Sequence, residues 1–342
     1  MNIEQRVASD QKESRPLSDL IEGFWLTQVI GAAVALGIPD MLRNGAKSCE
    51  HIALSCGADA SCVMRVLRAL QTLGVCRQVG KGTFELTERG QILRRDAPGS
   101  ITGRVMFTSG IMWDLYSQLT TVVKTGCPLP AGREGFRKLA SHPGLRGMHL
   151  AMVESSIRVV RDAARVHDFR GYSRVLDVGG GYGGALAALL EDYPDMSGGV
   201  LDLDYLADGA NTYFRDRGVA KQAQFLAGDF FESVPGGYDC YLLKYIVHDW
   251  GDTEALEILH RCAAAASRQS HLLLFERVLP EVLDESGEHQ AIMQIDLAMM
   301  TTGGKERTKE EYRMLLESAG FRMIAVTATA SPCSVIHAVR AA

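Results

Sequence analysis

From Arg174 onward the chain alternates strand, turn and helix, and that alternation limits its fold more than any other feature. Strands are readable at Val175 to Val178, Gly199 to Leu203, Gln224 to Leu226, Tyr238 to Val247 and His271 to Phe275, with helical spacing near 183–191, 205–217 and 253–267. Parallel neighbours need a long crossover, and each intervening helix supplies one. The expectation is an α/β fold with a doubly wound, mostly parallel sheet. Arg307 to Ala319 reads as a further helix, opened by a Thr308/Glu311 capping box and closed by Gly320. Two last strands, Phe321 to Thr327 and Ser334 to Val339, read as a terminal hairpin turned at Ser331-Pro332, which adds an antiparallel strand to the sheet.

At 342 residues there is room for a second domain, and the first hundred residues have a different rhythm. Apolar residues from Leu17 to Leu36 follow one helical face and stop at Gly37. Residues 46–95 read as two short helices, the second (Ala60 to Leu73) capped by Asp59, followed by a hairpin, Val75 to Val79 and Thr83 to Leu86, turned at Gly80-Lys81-Gly82. That order looks like a winged helix. Between 17 and 100, however, nine basic residues face eight acidic ones, which is weak electrostatics for holding phosphates, and the net charge is -5. Neither a nucleic-acid binder nor a polybasic membrane-surface protein is expected. Ile101 to His167 is again helical, broken at Gly126-Cys127-Pro128-Leu129-Pro130 and at His142-Pro143-Gly144. Its Met106, Phe107, Met112, Trp113, Met148 and Met152 are either core residues or the lining of a slot for a flat apolar ligand. The eight cysteines form no CxxC pair and have no histidine at zinc-like spacing, so reduced thiols, a cytoplasmic location and no metal are expected. Residues 1–16 read as a polar, disordered tail without the apolar stretch of a signal peptide.

The turn after the first strand reads VLDVGGGYGG. Gly179, Gly181 and Gly184 satisfy G-x-G-x-x-G between strand and helix, where glycine lets a ligand approach the backbone closely. This spacing fits nicotinamide, flavin and S-adenosylmethionine (SAM) alike. Asp202, ending the second strand, can accept from ribose hydroxyls with any of them. Asp177 shifts the balance, because a carboxylate beside the glycines suits a ligand carrying an ammonium and a sulfonium better than a pyrophosphate. Gly228-Asp229-Phe230 after the third strand offers an acid for an adenine amino group and an aromatic ring for its face.

LLKYIVHDWGD, residues 242–252, places a histidine where an apolar strand stops, at the sheet's ligand-binding end. His248 is either a base there or an ordinary polar residue before a helix capped by Asp249 or Asp252.

In order, DVGGGYG, LDLD, GDFF, LLKYIVHDW, LFERVLP and GGKERTKEEY resemble the SAM-dependent O-methyltransferases of the plant caffeic-acid type and their bacterial natural-product relatives, over about residues 17–340. The resemblance implies a Rossmann-like class I methyltransferase domain at 169–342, a winged-helix-like dimerisation domain at 17–100 that makes a homodimer, and a helical linker at 101–168 lining the substrate pocket. By position, Gly179, Gly180 and Gly181 would meet the methionine part of SAM, with Asp177 beside them, Asp202 the ribose, and Asp229 and Phe230 the adenine. Lys244 would help hold the cofactor and Trp250 would pack beside it. His248 falls on the general base, with Glu276 as the first and Glu306 as the second candidate to orient it. Met299 falls on a substrate-clamping methionine, and Met106, Phe107, Trp113, Met152, Asp249 and Met300 complete a slot for a planar aromatic such as a phenazine or aromatic polyketide. Methyl transfer would leave S-adenosylhomocysteine. Three alternatives stay open: a nicotinamide oxidoreductase, a ligand-sensing winged-helix regulator, and a SAM-site protein with other chemistry.

Overall fold

A computed structural model describes residues 16–128, 133 and 145–341, with side chains from 152 onward in the last stretch. The tail expected at 1–16 lies outside them except for Pro16, as do the break at 142–144 and the side chain of Met148. The chain divides into two compact units, the second beginning at Met112. Among the described residues, no helix is long and apolar enough to cross a membrane.

In the first unit the helix expected over 17–36 is two helices, Leu17–Glu22 and Phe24–Ala35, meeting at Gly23. Its apolar stripe divides the same way. Ala33 and Val34 are buried in this unit's core, whereas Leu17, Leu20, Ile21 and Phe24 are exposed in the single chain. Helices Cys49–Cys56 and Ala60–Thr72 follow. Asp59 caps the second as expected, accepting from the Cys62 amide at 2.9 Å. The hairpin forms from β2 (Cys76–Gly80) and β3 (Thr83–Leu86), and a short β1 (Lys47–Ser48) pairs with β3 to make a third strand.

The second unit is built on a seven-stranded sheet. Its parallel strands are β4 (Arg174–Val178), β5 (Ser197–Asp202), β6 (Ala223–Ala227), β7 (Cys240–Lys244) and β8 (His271–Glu276). With β11 (Phe321–Ala328) and β12 (Ser334–Arg340) the order is β11-β12-β8-β7-β4-β5-β6. The terminal hairpin thus adds two strands, β12 antiparallel to β8 and β11 outside it. Residues on β7 face alternate cores: Leu242 joins the helices Gly184–Asp192 and Ala207–Asp216, while Tyr241 and Leu243 join Asp252–Ala265 and Lys309–Ser318. Both faces are covered, which is why the strands read as continuous apolar runs. The capping box of Thr308 and Glu311 is present.

Two features were not read from the sequence. A helix spans Gly287–Thr302, capped by Ser286 and ended by Gly303. A two-residue parallel pair, β9 (Val278–Leu279) with β10 (Arg307–Thr308), brings the segment after β8 beside the segment before the last helix. Glu276 and Glu306 immediately precede and flank this pair, so it draws the two acids together. The strand order reverses between β7 and β4, and such switch points open a ligand crevice at the carboxyl ends of the strands.

Candidate active site

β7 stops at Lys244, three residues earlier than the sequence suggested, and the chain turns at once. Tyr245 has φ +55°, the one left-handed non-glycine among the described residues, a conformation that costs about 1–3 kcal/mol and is kept only where the surroundings enforce it. Glu276, ending β8, does part of the enforcing: its Oε1 accepts from the amides of Ile246 at 3.1 Å and Val247 at 2.8 Å. His248 then sits in a short turn, Val247–Asp249, and not at the strand's end. The helix that follows has Gly251 as its N-cap, so neither Asp249 nor Asp252 caps it.

The imidazole is 6% exposed. Its Nδ1 lies 2.9 Å from Glu306 Oε1 and 4.0 Å from Glu276 Oε2, and its Nε2 lies 3.4 Å from Asp249 Oδ1. Glu306, read second from the sequence, is therefore the hydrogen-bond partner, because Glu276 gives its Oε1 to the amides freed where β7 ends and its Oε2 stays 4.0 Å from the imidazole. A carboxylate at Nδ1 fixes the proton on that nitrogen and leaves Nε2 as the acceptor. Tyr245 stacks on the imidazole with ring centroids 5.3 Å apart, and the Arg277 guanidinium lies 4.4 Å from the Tyr245 ring centre and 3.5 Å from Glu306 Oε1.

The turn is held from below by the GGKER segment. A Cβ on Gly304 would lie 2.1 Å from the His248 carbonyl oxygen, so only glycine permits this approach. The Lys305 amide donates to that same oxygen at 2.9 Å, and the Glu306 amide donates to Asp296 Oδ1 at 2.9 Å. Arg307 is fully buried and spans the turn, donating to the carbonyls of Val247 and Trp250 at 2.9 Å each and to Asp252 Oδ1 at 2.8 and 3.0 Å. Arg307 stands within the GGKERTKEEY motif, where nothing local marks an arginine as buried. Asp296, Arg277 and Tyr245 were missed for the same reason.

Burial opposes charge on His248, but the carboxylates of Glu276, Asp249 and Glu306 outweigh it and push the imidazole up to about 9. Burial pushes Glu276 up to about 7 and raises Asp249 as well.

The glycine loop lies across the strand ends from this turn. Gly179 and Gly181 have φ of +74° and +60°, the left-handed region glycine alone enters freely, and a Cβ on Gly181 would meet nothing within 4 Å. The loop is open to a ligand on that side. Beneath it the Asp177 carboxylate would sit 2.4 Å from a Cβ on Gly180. Asp202 accepts from the amides of Gly181 and Leu203, both at 2.7 Å, and Asp229 accepts from Phe231 at 2.9 Å. Trp250 is buried edge-on against Phe231 and Phe230, with ring centroids 4.8 and 6.4 Å away.

An O-methyltransferase domain is matched over residues 132–322, and an O-methyltransferase dimerisation domain over 18–96. The chain belongs to the O-methyltransferase family. This methyltransferase is 32% identical to an O-demethylpuromycin-O-methyltransferase of Streptomyces alboniger over 89% of this chain and 82% of that one. It is also 32% identical to a phenazine O-methyltransferase of Lysobacter antibioticus, over 94% and 95%. Among solved structures it resembles an O-methyltransferase from neocarzinostatin biosynthesis in complex with SAM and 2-hydroxy-5-methyl naphthoic acid, with a TM-score of 0.79, 31% identity and coverage of 92% and 96%. The nicotinamide reading is thereby set aside, and the enzyme is a SAM-dependent O-methyltransferase.

The methyltransferase's own atoms fit that cofactor. Asp177 Oδ2 and Lys244 Nζ are buried with no hydrogen-bond partner among the described residues, at the ends of adjacent strands beside the glycine loop. Groups of both signs left unpaired at such a place are costly unless a ligand meets them, and the amino-acid end of SAM carries both an ammonium and a carboxylate. Burial pushes Asp177 up to about 7 and Lys244 down to about 8. Burial likewise pushes Asp202 up to about 6.

Of the residues expected to line an acceptor slot, Met299 and Met300 lie half-buried on the Gly287–Thr302 helix, which packs against the helix Trp113–Ser117. Trp113 and Met152 are about one-third exposed, at 38% and 36%. Asp249 borders a cavity of about 320 Å³ together with Pro128, Trp250, Glu254 and Thr302. Met106, on Thr102–Phe107 with Phe107, packs against the core of the first unit.

Proposed function

We propose that this methyltransferase methylates a hydroxyl of a planar aromatic molecule, a bacterial secondary metabolite, with His248 as general base. The observation that carries the reading is the buried Nδ1 to Glu306 contact of 2.9 Å, which leaves Nε2 to accept a proton. When bound, SAM supplies an electrophilic methyl group on a sulfonium. His248 takes the proton of the acceptor hydroxyl at Nε2, and Glu306 and Glu276 stabilise the imidazolium that results. Asp202 meets the ribose, Asp229 and Phe230 the adenine, and Trp250 backs them. Met152, Met299 and Met300 with Trp113 contact the flat acceptor, and Asp249 its polar edge. Relatives named for puromycin, phenazine and naphthoic-acid acceptors support the substrate class.

Incubation with SAM and a panel of hydroxylated phenazines, anthraquinones and naphthoic acids should yield products heavier by one methyl. Transfer to none of them, with SAM shown to bind, would sink the substrate class.

In the same reading Asp177 receives the ammonium of SAM, and it must be ionised to do so. Since burial holds its pKa near 7, raising the pH through that value removes its proton before binding and spares the cofactor that cost. SAM affinity by calorimetry should therefore strengthen from pH 6 to 8 in the wild type. In Asp177→Asn it should be weaker and should lose the part of that rise that Asp177 supplies, keeping only what Asp202, held near 6, and Lys244, held near 8, contribute over that range; an unchanged slope in the variant would refute the assignment.

The dimerisation domain and the exposed apolar residues Leu17, Leu20 and Ile21 support a homodimer through the N-terminal unit.

A further inference from the structure

We propose that His248, Glu276 and Glu306 also form a latent site for a divalent transition-metal ion of the zinc type, and that filling it shuts off methyl transfer. The donor atoms are one imidazole nitrogen and two carboxylate oxygens, all within 4.8 Å of one another. A tetrahedral zinc site with bonds of about 2.1 Å has neighbouring donors about 3.4 Å apart. The distances from Nδ1, 2.9 Å to Glu306 and 4.0 Å to Glu276, bracket that value, and the two carboxylate oxygens lie within 4.8 Å of each other, so shifts of about an ångström assemble the site. Two oxygens point to a missing ligand. Glu276 Oε2 and Glu306 Oε2 are completely buried and have no hydrogen-bond partner among the described residues, and the first is the oxygen 4.0 Å from Nδ1. Three carboxylates, Glu276, Glu306 and Asp249, surround one imidazole, with Arg277 as the nearby permanent cation at 3.5 Å from Glu306. A divalent ion balances the excess.

The consequence for catalysis follows from which nitrogen is used. The ion takes Nδ1, and the proton that nitrogen shared with Glu306 leaves to solvent. A neutral imidazole bound through Nδ1 carries its remaining proton on Nε2. That nitrogen can then donate a hydrogen bond but cannot accept a proton, so the base is lost. Inhibition rests on the His248 reading above, whereas binding does not. Imidazole with carboxylates favours Zn²⁺, Ni²⁺ or Cu²⁺; Mg²⁺ wants oxygen ligands alone and gives up its water reluctantly.

The test uses the whole chain, stripped with a chelator and titrated calorimetrically with Zn²⁺. Exposed Cys62 and Cys127 are rival ligands, so Co²⁺ is titrated in parallel, because thiolate coordination gives an intense near-ultraviolet band that nitrogen and oxygen donors do not. Expected are one ion per chain, weak visible bands without the thiolate band, and affinity lower by roughly 10- to 100-fold or more in both Glu276→Gln and Glu306→Gln. Wild-type methyl transfer should fall in step with occupancy and return on chelation, and Mg²⁺ should do nothing. A thiolate spectrum, or affinities unchanged in both variants, would overturn the site. A filled site with undiminished methyl transfer would overturn the inhibition, provided His248→Ala is itself impaired; if His248→Ala is fully active, the base reading has failed and the inhibition falls with it, while the binding result stands alone.

Discussion

His248→Ala should lower methyl transfer by about 100- to 10,000-fold while leaving SAM binding close to wild type. Alanine removes the acceptor at Nε2, so the hydroxyl must lose its proton to water. A phenol with a pKa near 10 is almost wholly protonated at neutral pH, and the lost base is felt most near pH 9, where half of His248 is in the base form and most of the phenol still holds its proton. The rate should not reach zero, because holding acceptor and methyl donor together survives the change. The substitution also leaves Glu276, Glu306 and Asp249 buried without the imidazolium they surround. Their response is to hold protons, so the chain should stay folded, which circular dichroism can establish alongside the rate. A folded variant that methylates at the wild-type rate would remove His248 from the mechanism.

The second large effect is expected at Arg307, which touches neither reactant. Its guanidinium satisfies the carbonyls of Val247 and Trp250 on either side of the catalytic turn, and both lie in the buried interior. Arg307→Met keeps much of the side chain's bulk and strands these two acceptors, at about 1–3 kcal/mol each. Asp252 is largely exposed and is rehydrated on losing its partner, so it adds little. Thermal unfolding should move down by several degrees, given about 2–4 °C per kcal/mol for a domain of this size. The rate should fall as well, since the loop that aims His248 loses its clamp. Unchanged melting and unchanged turnover together would show that the turn is held by Gly304 and Glu276 alone.

The parts of the fold written in local chemistry could be read in advance. The strand-glycine-helix turn of DVGGGYG, the Asp59 cap and the Thr308/Glu311 capping box each involve residues within a few positions of one another, and all stand where expected. The end of β7 could not be read, because Tyr245 gives no sign of a left-handed backbone and the apolar run continues through Val247. The Gly287–Thr302 helix had its signs in Ser286 and Gly303, but its residues were weighed as ligands of a slot and not as a periodic face. The choice between Glu276 and Glu306 was open for a deeper reason. His248 and Glu306 are 58 positions apart, and what sets their contact apart is that two amides, which appear only once the strand has ended, hold one oxygen of Glu276 and leave the other 4.0 Å from the imidazole.

The central claim is that Nε2 of His248 accepts the proton and that Glu306 sets its basicity. It is tested most directly by the pH dependence of kcat/KM, which reports groups of the free enzyme. The surrounding carboxylates hold His248 near 9, so the imidazolium predominates at neutral pH and the base form grows about tenfold per pH unit until that value is passed. Wild-type kcat/KM should rise from pH 7 to 9 and level off above. Glu306→Gln removes one of the charges that raise the pKa, so its rising limb should lie at lower pH and its plateau should begin sooner. The acceptor's own ionisation is the same with both enzymes and cannot move the limb. A limb at one position in wild type and Glu306→Gln would contradict the account and assign the titration to the acceptor.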